Sequence, residues 1–155
     1  MQKTNVCRLL DAAEIAYELI EYEVDESDLS AVHVADEMHE DIDAVFKTIV
    51  LEGDKVKYFV CVVPGAYEVD LKKAARASGN KSCKPIPLKD LLPLTGYIRG
   101  GCCPIGMKKS FPSYIDETCL LHDKIYVSAG QRGMQLHLSP QDLIRYVPLT
   151  TSDLI

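Results

Sequence analysis

No stretch of this sequence approaches the ~18 consecutive apolar residues of a membrane-spanning helix. Its first residues, MQKTNVCRLLDAAEIAYEL, contain no apolar run long enough for a secretory signal. The expectation is a cytoplasmic protein with no membrane partner. Six cysteines are present, yet none forms a C-x-x-C pair and no histidine stands at zinc-finger spacing from a cysteine pair. The four histidines, His33, His39, His122 and His137, are scattered. Neither a disulfide framework nor a metal site is expected, and no other cofactor is. Motifs for cradling phosphate or raising a nucleophile are missing too. There is no G-x-x-x-x-G-K-[ST], no G-x-G-x-x-G and no G-x-S-x-G. No repeat or low-complexity segment is visible.

What is present suits one domain spanning residues 1–155, long enough to hold a core without disulfide or metal staples. Hydrophobic residues make up 47% and charged residues 26%, ordinary values for a globular protein. The net charge is −6, but it is unevenly spread. Residues 1–54 carry 15 acidic and 3 basic side chains, a balance of −12, and residues 55–155 carry 8 and 14, a balance of +6. A basic face can meet phosphate despite an acidic total. Two solvated faces of opposite sign are the plainer alternative.

Val6, Leu9, Leu10 and Ala13 recur at helical spacing, predicting a helix over 4–13. YELIEYEV (17–24) alternates as a strand, and Ser30 is a plausible N-cap for a helix through Met38. VFKTIVLEGDKVKYFVCVVP (45–64) reads as a β-hairpin and VDLKKAARASG (69–79) as a helix closed by glycine. Pro85, Pro87 and Pro93 break the next segment into short pieces. SYIDE (113–117), KIYVSAG (124–130) and MQLHLS (134–139) read as strands, and Ser139-Pro140 opens a last helix. The tail LTTSDLI carries no readable signal. Without regular βαβ alternation, the class is a single mixed α+β domain.

Three features could carry chemistry. Lys47 lies in an otherwise apolar or β-branched strand, Val45 to Val50, where alternation puts Val45, Lys47 and Ile49 on one face. Desolvating an ammonium costs several kcal/mol. Lys47 therefore either faces a pocket, where it could hold a phosphate, carbonyl or ribose hydroxyl, or guards an exposed strand edge. Gly100-Gly101 could bring backbone N–H groups up to a polarised carbonyl, or could simply make a tight turn. In VSAGQRG (127–133), Ser128 presents a hydroxyl while Gly130 and Gly133 frame Arg132. That serine is better suited to orienting a ligand than to attacking it. The vicinal pair Cys102–Cys103 could ligate a soft metal or sense oxidants, but no further ligands accompany it. Cys7 and Cys61 sit at apolar positions and read as buried thiols.

Taken together, FKT (46–48), DLKKAA (70–75), TGYIRGGCCPIGMKK (95–109), ID (115–116) and IYVSAGQRG (125–133) resemble the YbaK/EbsC family. Its members are free-standing aminoacyl-tRNA deacylases related to the editing domain of bacterial prolyl-tRNA synthetases. The blocks agree in order and spacing from about residue 4 to residue 147. The resemblance is nearest to the YbaK type, which removes cysteine mischarged onto proline tRNA. It implies a mixed-sheet, partly barrel-like domain with helices around it. It also implies catalytic roles for Lys47, Gly100 and Ser128, and substrate-binding roles for Tyr22, Thr48, Gly101 and Gly130. Arg99, Lys108, Lys109 and Arg132 are the candidates for contacting RNA.

The implied mechanism needs no protein nucleophile. The substrate's own thiol attacks the ester carbonyl, which accords with the lack of a Ser–His or Cys–His arrangement. The implied partners are the aminoacylated 3′ end of tRNA and prolyl-tRNA synthetase. Two alternatives stand beside this reading. One is a water-using deacylase of another small aminoacyl group such as alanine. The other is an inactive module that binds tRNA or a synthetase. Cys102 and Cys103 occupy positions where the family usually has an aliphatic and a small residue, so they are expected to be packing substitutes. Ala129 replaces a family glycine, Gln131 a common lysine and Arg99 a small aliphatic residue. Residues 25–38, expected to include part of the pocket wall, differ most.

Overall fold

Thr4 begins the first helix by accepting a hydrogen bond from the Cys7 N–H on its side chain, which satisfies one of the donors left free at a helix start. This computed structural model describes residues 3–155. The helices are α1 (Asn5–Ala12), α2 (Ala31–Met38), α3 (Leu71–Ser78), α4 (Leu88–Thr95) and α5 (Pro140–Tyr146). The strands are β1 (Glu18–Glu21), β2 (Phe46–Gly53), β3 (Tyr58–Pro64), β4 (Cys83–Pro85), β5 (Ser113–Asp116), β6 (Ile125–Ser128), β7 (Met134–Leu138) and β8 (Thr150–Ser152). Ser30, Asp70 and Ser139 cap α2, α3 and α5 with side-chain oxygens. Gly79 closes α3 at φ 80°, a conformation that favours glycine.

The strands form two sheets. One has the order β1-β7-β6 and is antiparallel; the other has the order β4-β2-β3-β5-β8. The β2–β3 hairpin is the second sheet's centre, and β5 and β8 add to it in parallel. β3 is buried on both faces, which accounts for its unbroken apolar run. Val60 and Val62 join the core shared with α1, β6 and β7, while Phe59, Cys61 and Val63 pack with Ala74 and Leu154 on the other side.

A single parallel bridge, Val45 to Tyr126, links the two sheets. β2 is thus flanked on one edge by β6 near its start and by β4 near its end, where Leu51–Gly53 pair with β4. Pro64, which has no N–H, lies opposite Phe46. The ladder alternation therefore turns the peptide groups of Phe46, Thr48 and Val50 away from β3. Val50 accepts a bond from the Ile86 N–H at 3.2 Å. Between these two partners the edge of β2 is open.

Three stretches differ from the sequence reading. The proline-rich segment holds both β4 and α4, with Pro93 inside the helix. Tertiary packing of Leu91 against the core and a Thr95 hydroxyl bond to the Leu91 carbonyl (2.7 Å) hold that helix together despite the proline. The strand predicted over 17–24 is only four residues long. The C-terminal tail, silent in the sequence, forms β8. Its Leu154 is fully buried, and the Leu154 N–H donates to Asp116 Oδ1 at 2.8 Å. The other oxygen of Asp116 accepts from the N–H and hydroxyl of Thr118 at 3.1 and 2.6 Å, so this buried carboxylate is well bonded. No helix among the described residues is long and apolar enough to cross a membrane.

Candidate active site

The open edge of β2 is one wall of a cavity of about 630 Å³. The parallel bridge explains which residues meet there. Two residues on from Val45 is Lys47, and two residues on from Tyr126 is Ser128. Strand side chains alternate with a period of two, so Lys47 and Ser128 point to the same side as the bridged pair. Both line the cavity, with Thr48, Arg99 and Gly100. Val34, Ile86 and Leu91 supply an apolar side.

Lys47 is 24% exposed, and its ammonium lies 3.5 Å from Glu68 Oε1. That glutamate is 96% exposed, so the pair is weak and readily exchanged for another anion or dipole. Ser128 ends β6 with 8% of its surface exposed. Its Oγ accepts from the Gly130 N–H at 3.2 Å, which leaves the hydroxyl hydrogen for a ligand. Gly100 has φ 86°. Among the described residues no acceptor takes its N–H, so that amide is available to an oxygen in the cavity.

Gly101 differs from its neighbour. Its N–H donates to the Ile98 carbonyl at 3.0 Å, and it does not line the cavity. A Cβ there would lie 3.1 Å from Gln131 Cα, so its glycine serves the close approach of the loop to the β6–β7 turn. Tyr22 is half-buried, donates its N–H to the Gly133 carbonyl at 2.9 Å and does not line the cavity either. Arg132 braces the loop: its Nε donates to the Arg99 carbonyl at 2.8 Å, and its guanidinium lies 3.8 Å from Glu26.

Gly130 and Lys108 line a second cavity, of about 580 Å³, beside the first. Lys3 and Arg8 line it too, and no carboxylate does. The Ser128–Gly130 turn and the Gly96–Gly100 loop separate the two cavities, since each contributes residues to both. Lys3 is paired with Asp11 at 2.7 Å, while among the described residues Arg8 and Lys108 have no ion-pair partner. Lys109 is exposed nearby in sequence but lines neither cavity. Ala129 is fully buried and outside the left-handed region; the positive φ of this turn, 102°, falls on Gly130. The alanine therefore adds a buried methyl without backbone strain.

Cys103 is fully buried, and its Sγ accepts from the Ile105 N–H at 3.4 Å. Cys102 borders the first cavity, where burial pushes its thiol up to about 12. Burial pushes Cys103 higher still. Both are neutral thiols near pH 7, unsuited to nucleophilic attack. Among the described residues no three His, Cys, Asp or Glu side chains group to hold a metal.

Sequence reasoning passed over Gln135. It lies directly across the β6–β7 ladder from Ser128, is 5% exposed and lines the first cavity. Its position within the alternating run MQLHL, where neighbouring Leu136 and Leu138 are core residues, was the available signal.

The aminoacyl-tRNA editing domain family matches residues 26–146. EbsC of Enterococcus faecalis, provisionally named a Cys-tRNA(Pro)/Cys-tRNA(Cys) deacylase, is 44% identical over 157 aligned positions, covering 98% of this chain and 96% of EbsC. Two solved structures share the fold. One, described provisionally as a trans-editing enzyme for prolyl tRNA synthetase, has a TM-score of 0.83 at 23% identity, covering 99% of this chain and 98% of its own. The other, the hypothetical protein APE2540, has a TM-score of 0.87 at 18% identity and coverage of 97% and 99%. This chain belongs to the aminoacyl-tRNA editing domain family.

Proposed function

We propose that this protein is a trans-editing deacylase that removes cysteine from mischarged tRNA(Pro), and from Cys-tRNA(Cys), through the thiol of the substrate itself. The observation that carries this reading is the set of groups around the first cavity. Lys47, the Gly100 N–H and the Ser128 hydroxyl are hydrogen-bond donors, and none is an activated nucleophile. Such a site stabilises a developing oxyanion and positions an ester, but does not itself attack.

In the proposed reaction the cysteinyl sulfur bonds to the ester carbonyl carbon. The bond from that carbon to the ribose oxygen breaks, and the thiol proton ends on the departing 3′-terminal hydroxyl. A cyclic thioester leaves and is opened by water in solution. The Gly100 N–H receives the carbonyl oxygen, and Lys47 holds the terminal ribose or its phosphate. Ser128 and Thr48 orient the aminoacyl group. Holding an internal nucleophile in line is worth up to ~7–11 kcal/mol, and an oxyanion donor ~3–4 kcal/mol, so no protein nucleophile is needed for a large acceleration.

The preceding nucleotides are proposed to lie along the second cavity, where Arg8 and Lys108 can meet phosphate, with Arg99 at the boundary between the two. Prolyl-tRNA synthetase is the proposed delivering partner, in keeping with the description of the structural neighbour.

The test is a deacylation assay with Cys-, Ala- and Pro-tRNA(Pro) on the wild type and Lys47→Ala. We expect cleavage of the cysteinyl ester, with a loss of about 10²-fold in the variant, the size typical of misplacing a bound substrate at its reacting group. Equal rates would remove Lys47 from the mechanism. A serinyl ester in place of the cysteinyl one should react far more slowly. If alanyl-tRNA(Pro) is cleaved as fast as the cysteinyl form, water rather than the substrate's sulfur is the nucleophile.

A further inference from the structure

We infer that Gln135 is a substrate-positioning and specificity residue whose side-chain amide receives the α-amino group of the aminoacyl ester. This inference rests on the deacylase reading above and extends it to a residue that reading leaves idle. Two buried side-chain atoms lack a hydrogen-bond partner among the described residues, His33 Nε2 and Gln135 Oε1. His33 is explained by its surroundings: the carboxylates of Asp28 and Glu37 lie 4.0 and 3.6 Å from its ring nitrogens, and it lines neither cavity. Gln135 has no such partner. A buried acceptor left unbonded costs ~1–3 kcal/mol, so an idle one on a cavity wall needs an account.

The ligand's chemistry supplies one. The cavity wall is rich in donors: the Lys47 ammonium, the Gly100 N–H, the Arg99 guanidinium and the hydroxyls of Ser128 and Thr48. These suit the carbonyl, ribose and phosphate oxygens of an aminoacylated terminus. An aminoacyl ester also carries one strong donor, its α-amino group, and that group needs an acceptor. One lone pair of Ser128 Oγ is taken by Gly130, and Glu68 is almost wholly in solvent. Among the buried side chains on that wall, Gln135 Oε1 is an acceptor with no bonded partner among the described residues.

Its place in the fold fits this role. Gln135 pairs across the ladder with Ser128, so the group that orients the acyl part and the group that receives the amine stand side by side. The terminal torsion of glutamine is broad, so a turn about it can present the oxygen to a ligand in the cavity, whose ammonium then supplies the missing hydrogen bond. An amide also accepts from an ammonium without adding an anion that would compete for Lys47.

The experiment uses two non-hydrolysable probes: adenosine bearing a 3′-alanylamido group, and the same nucleoside bearing a 3′-propionylamido group, which lacks only the amine. Binding of each is measured by calorimetry to the full chain, as wild type and as Gln135→Met. The expected result is that the wild type binds the alanyl probe about 10- to 100-fold more tightly than the propionyl probe, the range for a hydrogen bond to a charged group. Gln135→Met should lose that preference while binding the propionyl probe as the wild type does. A purely structural role would weaken both probes alike.

A preference that survives in Gln135→Met, or a wild type that has none, overturns the inference. If Gln135→Met fails to fold, Gln135→Asn, which keeps the amide but withdraws it by one methylene, should show a reduced preference; an unchanged one also overturns it. The deacylation assay separates the two levels. Lys47-dependent cleavage without an amine preference sinks only the role of Gln135. A wild type that cleaves no ester and binds neither probe sinks both.

Discussion

At Gly100 the backbone sits at φ 86°, and a Cβ would lie 3.3 Å from Arg132 Cγ and 3.4 Å from Leu29 Cδ2. Gly79 has nearly the same φ, 80°, with open space around it. The two positions therefore separate backbone strain from site geometry. Gly79→Ala and Gly100→Ala should each lose about 1–2 kcal/mol of stability, a fall in Tm of several degrees. Only Gly100→Ala should also lower kcat/KM on Cys-tRNA(Pro), by at least tenfold, because Arg132 must shift and carry the loop with it. Thermal melts and single-turnover kinetics on both variants check this; equal activities would detach the loop from catalysis. Gly101 contributes differently from its neighbour. Its amide is engaged with Ile98, so its effect on activity should come through the packing of the loop against the β6–β7 turn.

At the scale of elements, α3 offers the clearest test. Asp70 accepts from the N–H groups of Lys72 and Lys73 at 3.0 and 3.1 Å. Those bonds hold its carboxyl below the usual carboxylate range. A carboxylate whose folded pKa is depressed stabilises the fold at pH values above its ordinary pKa, and that stabilisation is lost as pH falls through the acid range. Backbone bonds lower Asp54 in the same sense. Asp70→Ala should lower stability at neutral pH, because the Lys73 and Lys72 N–H groups lose their cap. Denaturant melts from pH 7 down to pH 3 should show the wild-type advantage shrinking, and a constant advantage would rule out the cap as its source.

Elements with local signals were legible in the sequence: α1 through its helical spacing, α2, α3 and α5 through their caps, and the β2–β3 hairpin through its β-branched runs. β8 and α4 were not. β8 exists because Asp116, thirty-eight residues away, accepts the Leu154 N–H, and because Leu154 fills a pocket behind β3. The stability of α4 comes from packing that overrides its proline. The same division holds at the site. Lys47 and Ser128 stood out as a charge in an apolar run and a hydroxyl at a strand end. Their adjacency depends on one interstrand bridge, and the burial of Gln135 on the pairing of β6 with β7, neither of which has a local sequence signature.

At the scale of the whole molecule, the six thiols report on packing. Cys7, Cys61, Cys103 and Cys119 are buried, and Cys83 and Cys102 are half-buried. Burial pushes Cys61 and Cys102 up to about 12 and Cys119 to about 11. A thiol-specific disulfide reagent at pH 8 should modify at most Cys83 and Cys102 in the native protein, and all six after denaturation. Rapid native reaction of more than two would mean the core opens readily. The sign at high pH follows too. A thiol whose folded pKa is raised favours the fold below its ordinary pKa, and that contribution is lost as pH rises from about 9 towards 12. Replacing Cys102 with Ile and Cys103 with Ser should leave deacylation within a few-fold of wild type. A large loss would return these sulfurs to the chemistry.

The uneven charge acquires a direction once it is mapped onto the cavities. Asp25, Glu26, Asp28 and Glu37 cluster on and before α2, beside the Leu29–Val34 segment that walls the first cavity. The lining of the second cavity holds three cations and no carboxylate. On the proposed path, a polyanionic strand would meet repulsion along one rim and attraction along the other, which favours placing its phosphates at the second cavity and its uncharged aminoacyl end in the first. Arg8→Glu with Lys108→Glu should therefore weaken tRNA capture by more than the lost contacts alone, and should flatten its dependence on salt. Neutralising the acidic rim should instead tighten tRNA binding most at low salt, which a titration across ionic strength would check.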